Sequence, residues 1–452
     1  MRIDLTDNSI KHPKAETFLR KDVVALFPIA DKTIDELCKE NENLLFFPYG
    51  MESSDDDIEQ SSVFSILNSE DSEKVRIRTG NVMGFIGIGN LQVKIKSRFD
   101  DGRDDYLLHY MLQKVMSFNL FDFNHNNEKE DVFDFIMFMF PYFLKSALRQ
   151  GVYKEYRNFK YNNSNPKGTI DVSRHIKRNC PFVGNIAYST REYSHDNSMT
   201  ELIRHTIEFM KTKKYGQSVL NIDRETKENV ETIIEHTPLY NKNERSNIVN
   251  KNLRIKSHPY YTEYRPLQTL CLQILRLEEV RYGESDDEIF GILFDGAWLW
   301  EEYVNTVLLG MGFKHPENRL KKGGIYLFED HSGERFPDFY KDDIVLDAKY
   351  KRIGNYENVS KVNRDDLHQV IAYLNPLHAS RGGFIVPLEQ KQTKIPTSRL
   401  KGRSSTLSIF GIEISKTSSS YLDFCEQMKE KEATFVESLS QQWLSHYNMK
   451  TF

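Results

Sequence analysis

Cysteine is scarce in this sequence, which argues against a fold stabilised by disulfides or by structural zinc. The chain has 452 residues but only four cysteines, Cys38, Cys180, Cys271 and Cys425, and none of them forms a CxxC pair. A zinc ribbon needs CxxC pairs, and a disulfide framework is typical of short chains that are rich in cysteine, so we expect neither. Isolated thiols are typical of a reducing compartment, and we therefore expect a cytoplasmic location.

Long hydrophobic runs are also missing. The first residues, MRIDLTDNSIKHPK, are charged from the second position and contain no apolar segment, which argues against a secretory signal. The most apolar run, 135–144, is short and contains Pro141. A run of this length predicts a buried helix, so we expect no membrane among the partners.

Several catalytic and nucleotide-binding motifs are absent. None of the 23 glycines is followed by lysine, so the chain has no Walker A loop. The glycines at 84–89 do not form a GxGxxG fingerprint, because Gln92 stands where the third glycine should be. HExxH and GxSxG are missing as well. We therefore expect this chain to bind no nucleotide itself.

The bulk composition is that of a folded multidomain protein. A chain of 452 residues exceeds what one hydrophobic core normally serves. The net charge of −5 does not indicate a nucleic-acid binder, but it does not exclude one, because local basic patches matter more than the total charge. The patterns predict a multidomain α/β protein, with a β-rich N-terminal domain at 1–104, a mainly helical middle region at 105–270 and an α/β domain at 271–452.

Periodicity defines the elements behind this division. The segment VMGFIGIGNLQVKIK (82–96) predicts a hairpin that turns at Gly89-Asn90. The middle region predicts helices on both sides of a break at 162–168. In the last third we expect helices around 295–310, at 364–375 and from about 420, and strands near 324–328, 336–340, 343–350, 383–387 and 406–414.

The segment FPDFYKDDIVLDAKYK (336–351) places charged residues around an apolar strand. Asp347 and Lys349 share one face of that strand, which is otherwise rich in Ile, Val and Leu and is therefore expected to be covered. Pro337-Asp338 lies nine positions before Asp347 and completes a PD…DxK pattern. Buried charges need a partner or a metal ion. The alternative is a salt bridge at the end of a strand.

Two helices flank this pattern. In DGAWLWEEYVNTVLLG, Glu301 lies on the same helical face as Val304 and Leu308, so it is a candidate third acid unless it reaches solvent. In NRDDLHQVIAYLNP, the apolar residues recur at helical spacing. Gln369 and Tyr373 are four residues apart and are therefore neighbours on one flank of that helix.

The order helix–Glu, Pro-Asp, strand–DxK and helix–QxxxY resembles the core of PD-(D/E)xK nucleases. LWEEYV (299–304), RFPDF (335–339) and LDAKY (346–350) are similar to segments of the McrC family, the nuclease subunits of McrBC modification-dependent restriction systems. LRQGVYKEY and KGTID resemble a further signature of that family, with Gln150 and Lys167 in place of commoner basic residues. The resemblance extends over roughly 80–390.

The resemblance implies a C-terminal domain of the PD-(D/E)xK restriction-endonuclease type and a DNA endonuclease that depends on Mg²⁺, with Mn²⁺ as an alternative. Asp338 and Asp347 would bind the metal directly, and the carbonyl of Ala348 would be a further ligand. Glu301 would bind a metal through water or support a second metal ion. Lys349 would orient the attacking water.

The same resemblance suggests how the chain meets its substrate. Gln369 and Tyr373 would brace the site or touch the phosphate backbone of double-stranded DNA. The segment KQTKIPTSRLKGR is basic and contains no acid, which suits phosphate contacts, although a solvated loop explains it equally well. Its candidate DNA-binding residues are Lys391, Lys394, Arg399, Lys401 and Arg403.

A family member of this kind is expected to act with a partner. The resemblance implies that the N-terminal domain docks onto a hexameric, McrB-like AAA+ GTPase ring that recognises the DNA. Two alternatives remain open: a stand-alone nuclease of DNA repair or of another defence system, and a catalytically silent activator or docking subunit. The sequence does not decide whether methylation triggers or blocks cleavage.

Overall fold

The computed structural model describes residues 2–9, 16–41, 44–48, 62–88, 91–99, 105–116, 130–213, 216–256, 258–281, 289–316, 318, 321–353, 357–402 and 404–444. The strands within these ranges are β1 (Arg2–Thr6), β2 (Glu16–Leu19), β3 (Leu44–Phe47), β4 (Phe64–Asn68), β5 (Lys74–Thr79), β6 (Val82–Ile88), β7 (Leu91–Lys96), β8 (Glu155–Asn163), β9 (Thr169–Ile170), β10 (Ile186–Ser194), β11 (Ile289–Asp295), β12 (Ile325–Tyr326), β13 (Glu334–Arg335), β14 (Phe339–Lys341), β15 (Ile344–Ala348), β16 (Arg381–Leu388), β17 (Thr397–Arg399) and β18 (Thr406–Glu413).

The α-helices within the same ranges are α1 (Ile34–Glu40), α2 (Tyr106–Met116), α3 (Glu130–Arg149), α4 (Val172–Asn179), α5 (Ser198–Lys211), α6 (Gly216–Leu220), α7 (Arg224–His236), α8 (Arg245–Asn252), α9 (Tyr264–Arg281), α10 (Gly296–Leu308), α11 (Arg364–Leu374) and α12 (Tyr421–Leu439). The predicted buried helix at 135–144 lies within α3 and is confirmed. None of the described helices combines the length and the apolar character that crossing a membrane requires.

The chain folds into two compact units. The first unit is made of Met1–Phe123 together with Ser285–Phe452, and the second unit is Asn124–Glu284. In the first unit, β11 comes late in the chain but pairs with β6 and β3 from its beginning. The division into domains at 1–104, 105–270 and 271–452 stays a prediction.

The N-terminal sheet of the first unit has the strand order β1-β7-β6-β11-β3. Strands β6 and β7 are antiparallel, which confirms the predicted hairpin, although its turn at Gly89-Asn90 lies outside the described residues. Gly84 has a φ of +133°, and a Cβ placed there would lie 2.1 Å from the carbonyl oxygen of Ile292. Glycine is therefore needed where β6 and β11 approach each other. A smaller sheet, β2-β5-β4, packs into the same core.

The C-terminal sheet of the first unit has the strand order β14-β15-β16-β18-β17. The three central strands are parallel and apolar, as expected for strands that are covered on both faces. Helix α11 packs against β15 and β16, α10 against β15, and α12 against β18. The helices and strands predicted for this region are present, and β17 is a further strand inside the segment that we expected to be a loop.

The second unit corrects one prediction. Residues on both sides of the break at 162–168 were expected to be helical, but β8 and β10 form an antiparallel ladder there, with β9 paired to β10. In β8, Tyr156, Asn158 and Lys160 are exposed while their neighbours are half-buried, which is the period of a strand. Pairing with a distant strand outweighed the local pattern.

A buried carboxylate joins three helices of the first unit. Glu432 of α12 accepts hydrogen bonds from the hydroxyls of Tyr110 in α2, at 2.8 Å, and Tyr303 in α10, at 2.9 Å. Its other oxygen lies 2.9 Å from the Lys114 ammonium. Because α10 also carries Glu301, this contact fixes the helix on which the candidate third acid lies.

We predict that Glu432→Ala destabilises the first unit by about 3 kcal/mol, because two buried tyrosine hydroxyls lose their acceptor. Urea unfolding followed by circular dichroism measures the change in free energy. Glu426→Ala, at an exposed position of the same helix, is the matched control and should change stability by less than about 0.5 kcal/mol. Equal midpoints for the two variants would contradict the prediction.

Candidate metal-binding site

A short hairpin brings the two aspartates of the PD…DxK pattern together. Strands β14 and β15 are antiparallel, with Phe339 paired to Leu346, so Asp338 stands opposite Asp347. Asp342, in the two-residue turn, has a φ of +49°, which aspartate tolerates better than most residues. The amide of Ala348 donates a 2.7 Å hydrogen bond to Asp338 Oδ2 and fixes that carboxylate against the end of β15.

Asp347 is fully buried. Its Oδ1 has no hydrogen-bond partner, and its Oδ2 lies 2.8 Å from the Nζ of Lys349. Burial raises the pKa of Asp347, although the positive charge of Lys349 opposes that rise. A buried carboxylate oxygen without a partner is uncommon in native proteins, and it marks a position that a cation would occupy favourably.

Asp338 experiences the charge of Asp347 directly. Burial, and then repulsion by Asp347, raise the pKa of Asp338 to about 7. Burial and the charge of Asp338 likewise raise the pKa of Glu301 well above its ordinary value. Carboxylates that disfavour one another's ionisation are characteristic of sites that bind a cation or share protons.

Lys349 connects the strand to α11. Its Nζ donates a 3.0 Å hydrogen bond to Gln369 Oε1, and Gln369 Nε2 donates in turn to the Tyr373 hydroxyl at 3.2 Å. Burial opposes the charge of Lys349, but Asp347 and Asp338 outweigh it and raise the pKa of the ammonium. Lys349 is therefore a hydrogen-bond donor and a positive charge in this structure.

His315 and Glu302 join the site, although the sequence pattern did not indicate them. The Nδ1–H of His315 donates a 2.7 Å hydrogen bond to the main-chain carbonyl of Asp338, and its ring stacks on Phe339. Its Nε2 lies 3.5 Å from a carboxylate oxygen of Glu302, and its Nδ1 lies 3.9 Å from one of Glu301. The sequence pattern singled out only Glu301 on α10, whereas the structure places both Glu301 and Glu302 beside His315.

The residues fit a magnesium site built on two carboxylates. Mg²⁺ commonly takes one or two protein carboxylates and completes its shell with water and phosphate oxygens. Asp338 and Asp347, with the unpartnered Oδ1, match that demand. Across the described ranges, no group of three or more His, Cys, Asp or Glu side chains is arranged to hold a metal ion.

The basic segment divides between two edges of the sheet. Lys391 and Lys394 are exposed in the loop that follows β16, whose carboxyl end lies at the same edge as the end of β15. Arg399 pairs with Thr406 at the amino end of β18, and the exposed Lys401 comes two residues later. Arg403 lies outside the described residues. The structure therefore brings only the first two cations to the edge of the sheet that carries Asp347.

Comparison with known proteins identifies the family. The model described as McrBC 5-methylcytosine restriction system component matches residues 77–387, which is more than half of the chain. The chain belongs to this McrBC family. The match agrees with the resemblance over roughly 80–390 that the motifs indicated. A search of curated proteins found no match.

Two solved structures from Thermococcus gammatolerans are similar to this McrBC-family chain at 14% identity. The refined half-complex from a tetradecameric assembly of McrB AAA+ hexamers with bound McrC covers 95% of this chain and 100% of its own, with a TM-score of 0.49. The cryo-EM structure of the McrBC complex covers 68% of this chain and 87% of its own, with a TM-score of 0.32. Membership of the McrBC family rests on the match over 77–387.

We predict that Asp338→Asn stabilises the metal-free McrBC-family chain at pH 8 but not at pH 5. Because the folded state raises the pKa of Asp338 to about 7, it holds a proton that the unfolded state has lost, so stability falls as pH rises between about 4 and 7. Asparagine at position 338 carries no charge, so the repulsion between Asp338 and Asp347 disappears. We expect the melting temperature in EDTA to rise by about 2 °C at pH 8.

Asp343→Asn is the matched control, and it is expected to change stability in the opposite direction. Burial works against the charge of Asp343, but hydrogen bonds from Arg381 outweigh it and lower its pKa, so the charged form stabilises the fold above about pH 4. This variant should destabilise at both pH values. An Asp338→Asn protein that melts below wild type at pH 8 would show that the two buried acids do not repel one another.

Proposed function

We propose that this chain is a McrC-like nuclease subunit of a restriction system that defends against foreign DNA, and that its C-terminal sheet is a PD-(D/E)xK nuclease core. The observation that carries the proposal is the buried Asp347, with an unpartnered oxygen, beside Asp338 and Lys349. Membership of a family of restriction-system components supports it. The reaction is hydrolysis of phosphodiester bonds in double-stranded DNA.

The residues divide the chemistry among them. Asp338 and Asp347 would hold Mg²⁺, or Mn²⁺ in its place, with the carbonyl of Ala348 as a further ligand and Glu301 acting through water. The metal would supply Lewis acidity and charge neutralisation at the scissile phosphate. Lys349, held by Gln369, would direct the attacking water and stabilise negative charge as it develops.

Two further side chains hold these groups in place. Tyr373 is buried and accepts a hydrogen bond from Gln369, so it orients the amide that binds Lys349. His315 binds the carbonyl of Asp338 and faces the acids of α10. Both would restrict the motion of the catalytic groups, which is what precise positioning requires.

We also propose that an AAA+ GTPase ring of the McrB type activates the chain. The family description names a component of a system, which implies further components. The sequence has no Walker A loop, so the energy of nucleotide hydrolysis would have to come from another protein. The partner would recognise the DNA, and the N-terminal domain is the proposed docking region.

The test of catalysis is cleavage of linear and circular DNA, methylated and unmethylated, in Mg²⁺ with and without the AAA+ protein and GTP. We predict that wild type cuts only when partner and GTP are present. Asp338→Ala, Asp347→Ala and Lys349→Ala should each reduce the rate at least about 100-fold, because each removes a charge that acts in the transition state.

Asp365→Ala and Lys361→Ala are the matched controls, since both residues are exposed. Both should cut at close to the wild-type rate. Cleavage without the partner would indicate a stand-alone nuclease. Stimulation of the partner's GTPase by a chain that never cuts DNA would indicate a docking subunit. Full cleavage by the Asp347→Ala variant would remove the assignment of the site.

DNA contact is tested through its salt dependence. We predict that the double variant Lys391→Ala/Lys394→Ala weakens DNA binding and lowers the slope of log K against log salt by about 2, because each phosphate contact contributes about 1. Arg399→Ala/Lys401→Ala removes the same charge at the other edge of the sheet and should change the slope less. Fluorescence anisotropy with a labelled duplex measures both, and equal slopes for the two double variants would contradict the assignment.

A further inference from the structure

Four residues at strand ends of the first unit meet at one edge of the N-terminal sheet. Asp7 follows β1, Asn81 precedes β6, and Arg98 follows β7. Asp295 ends β11 and pairs with Val82 at the start of β6. Because β1 and β7 are parallel while β6 is antiparallel to β7 and β11, these residues lie at the same edge.

The guanidinium of Arg98 connects this edge to the strand that carries Asp347. Its Nη1 donates to Asp7 Oδ2 at 2.8 Å and to Asn81 Oδ1 at 3.1 Å. Its Nη2 donates to the main-chain carbonyl of Tyr350. The side chain of Arg98 is 7% exposed and that of Asp7 is fully buried, so the ion pair is shielded from solvent.

Tyr350 is held on several sides. Its ring lies 4.5 Å from the guanidinium carbon of Arg98 and 5.0 Å from the ring of Phe99. Its hydroxyl lies 2.6 Å from the hydroxyl oxygen of Ser97. Tyr350 directly follows Lys349 in the chain. The backbone that leaves β15 is therefore fixed by the end of β7, one residue after the candidate catalytic lysine.

The same cluster fixes the start of α10. Asn81 Nδ2 donates to Asp295 Oδ1 at 3.3 Å, and that oxygen also accepts the amide of Ala297 at 2.8 Å as the helix cap. The carbonyl of Asn81 accepts the amide of Gly296 at 3.0 Å. A Cβ at Gly296 would lie 3.0 Å from the ring of Tyr350, so the helix start and the strand end touch.

We propose that Arg98 is a positioning residue for the metal site, an inference that rests on the proposed function. Its planar fork holds the end of the Asp347 strand and, through Asn81, the start of the helix that carries Glu301. The edge of the N-terminal sheet thereby sets the distance between the carboxylates of Asp347 and Glu301. Lysine cannot reproduce this geometry, because its single ammonium does not bind three acceptors in one plane or stack on a ring.

Metal binding to the full-length chain, measured by calorimetry with Mn²⁺, tests the inference without relying on activity. We expect Arg98→Lys to weaken Mn²⁺ binding about 10-fold, the effect typical of residues that orient metal ligands. Cleavage by this variant should recover as Mn²⁺ is raised. Tyr350→Phe keeps the ring and the carbonyl and should change Mn²⁺ affinity less.

Arg381→Lys is the matched control for a general loss of stability. Arg381 also binds a carboxylate, that of Asp343, and a main-chain carbonyl, that of Trp443, but it lies at the amino end of β16. The control should lower the melting temperature and leave Mn²⁺ affinity unchanged. If Arg98→Lys does not fold, the pair Asp7→Asn/Arg98→Gln keeps a neutral hydrogen-bonded contact and is measured instead, with the same expectation.

The outcomes separate the two proposals. If wild type binds Mn²⁺ and the Arg98 variant binds it equally well, the positioning role is wrong and the proposed nuclease site stands. If wild type binds no Mn²⁺ and Asp347→Ala behaves identically, the metal site itself is wrong and the inference falls with it. A parallel loss of affinity in Arg381→Lys would show that Arg98 acts only through stability, which also overturns the inference.

Discussion

The buried carboxylate of Asp347 is the constraint around which the C-terminal half of the first unit is organised. An uncompensated buried charge costs several kcal/mol, and a second acid at Asp338 adds repulsion to that cost. Lys349 supplies one positive charge for the two acids. Glu301 and Glu302 approach from α10, and burial together with the neighbouring acids raises the pKa of Glu301 well above its ordinary value. The protein tolerates this arrangement because the surrounding apolar strands and helices hold the acids in place.

The sequence predicted the C-terminal elements well because their signals are local. Short apolar runs between turn residues indicate covered strands, and side-chain caps indicate where helices begin. In the structure Asp295 caps α10, and Asn363 caps α11. The ladder of β8 and β10 was missed for the opposite reason. Its strands pair across a gap that contains a helix and a third strand, and alternation within one strand does not show which distant segment pairs with it.

The candidate site likewise contains residues that local sequence signals predicted and residues that they missed. Asp338, Asp347 and Lys349 meet because one tight hairpin brings them together, and Gln369 and Tyr373 follow from helical spacing on α11. His315 reaches Asp338 from the segment after α10, and neither periodicity nor a motif indicated that contact. The basic segment shows the converse error. Its residues are close in sequence, but β17 reverses the chain direction and carries Arg399 towards the other edge of the sheet.

Strand β11 links the N-terminal sheet to the candidate metal site in the C-terminal part of the first unit. It is paired on both sides within that sheet, and it continues directly into α10, the helix of Glu301. A second connection runs from the end of β7 through Arg98 to the residue after Lys349. The two elements that carry the acids are thus both fixed to one sheet edge, at separate points. A shift of that edge would move both elements at once, because buried, hydrogen-bonded contacts transmit displacement instead of absorbing it. The spacing between Asp347 and Glu301 therefore depends on the position of that sheet edge.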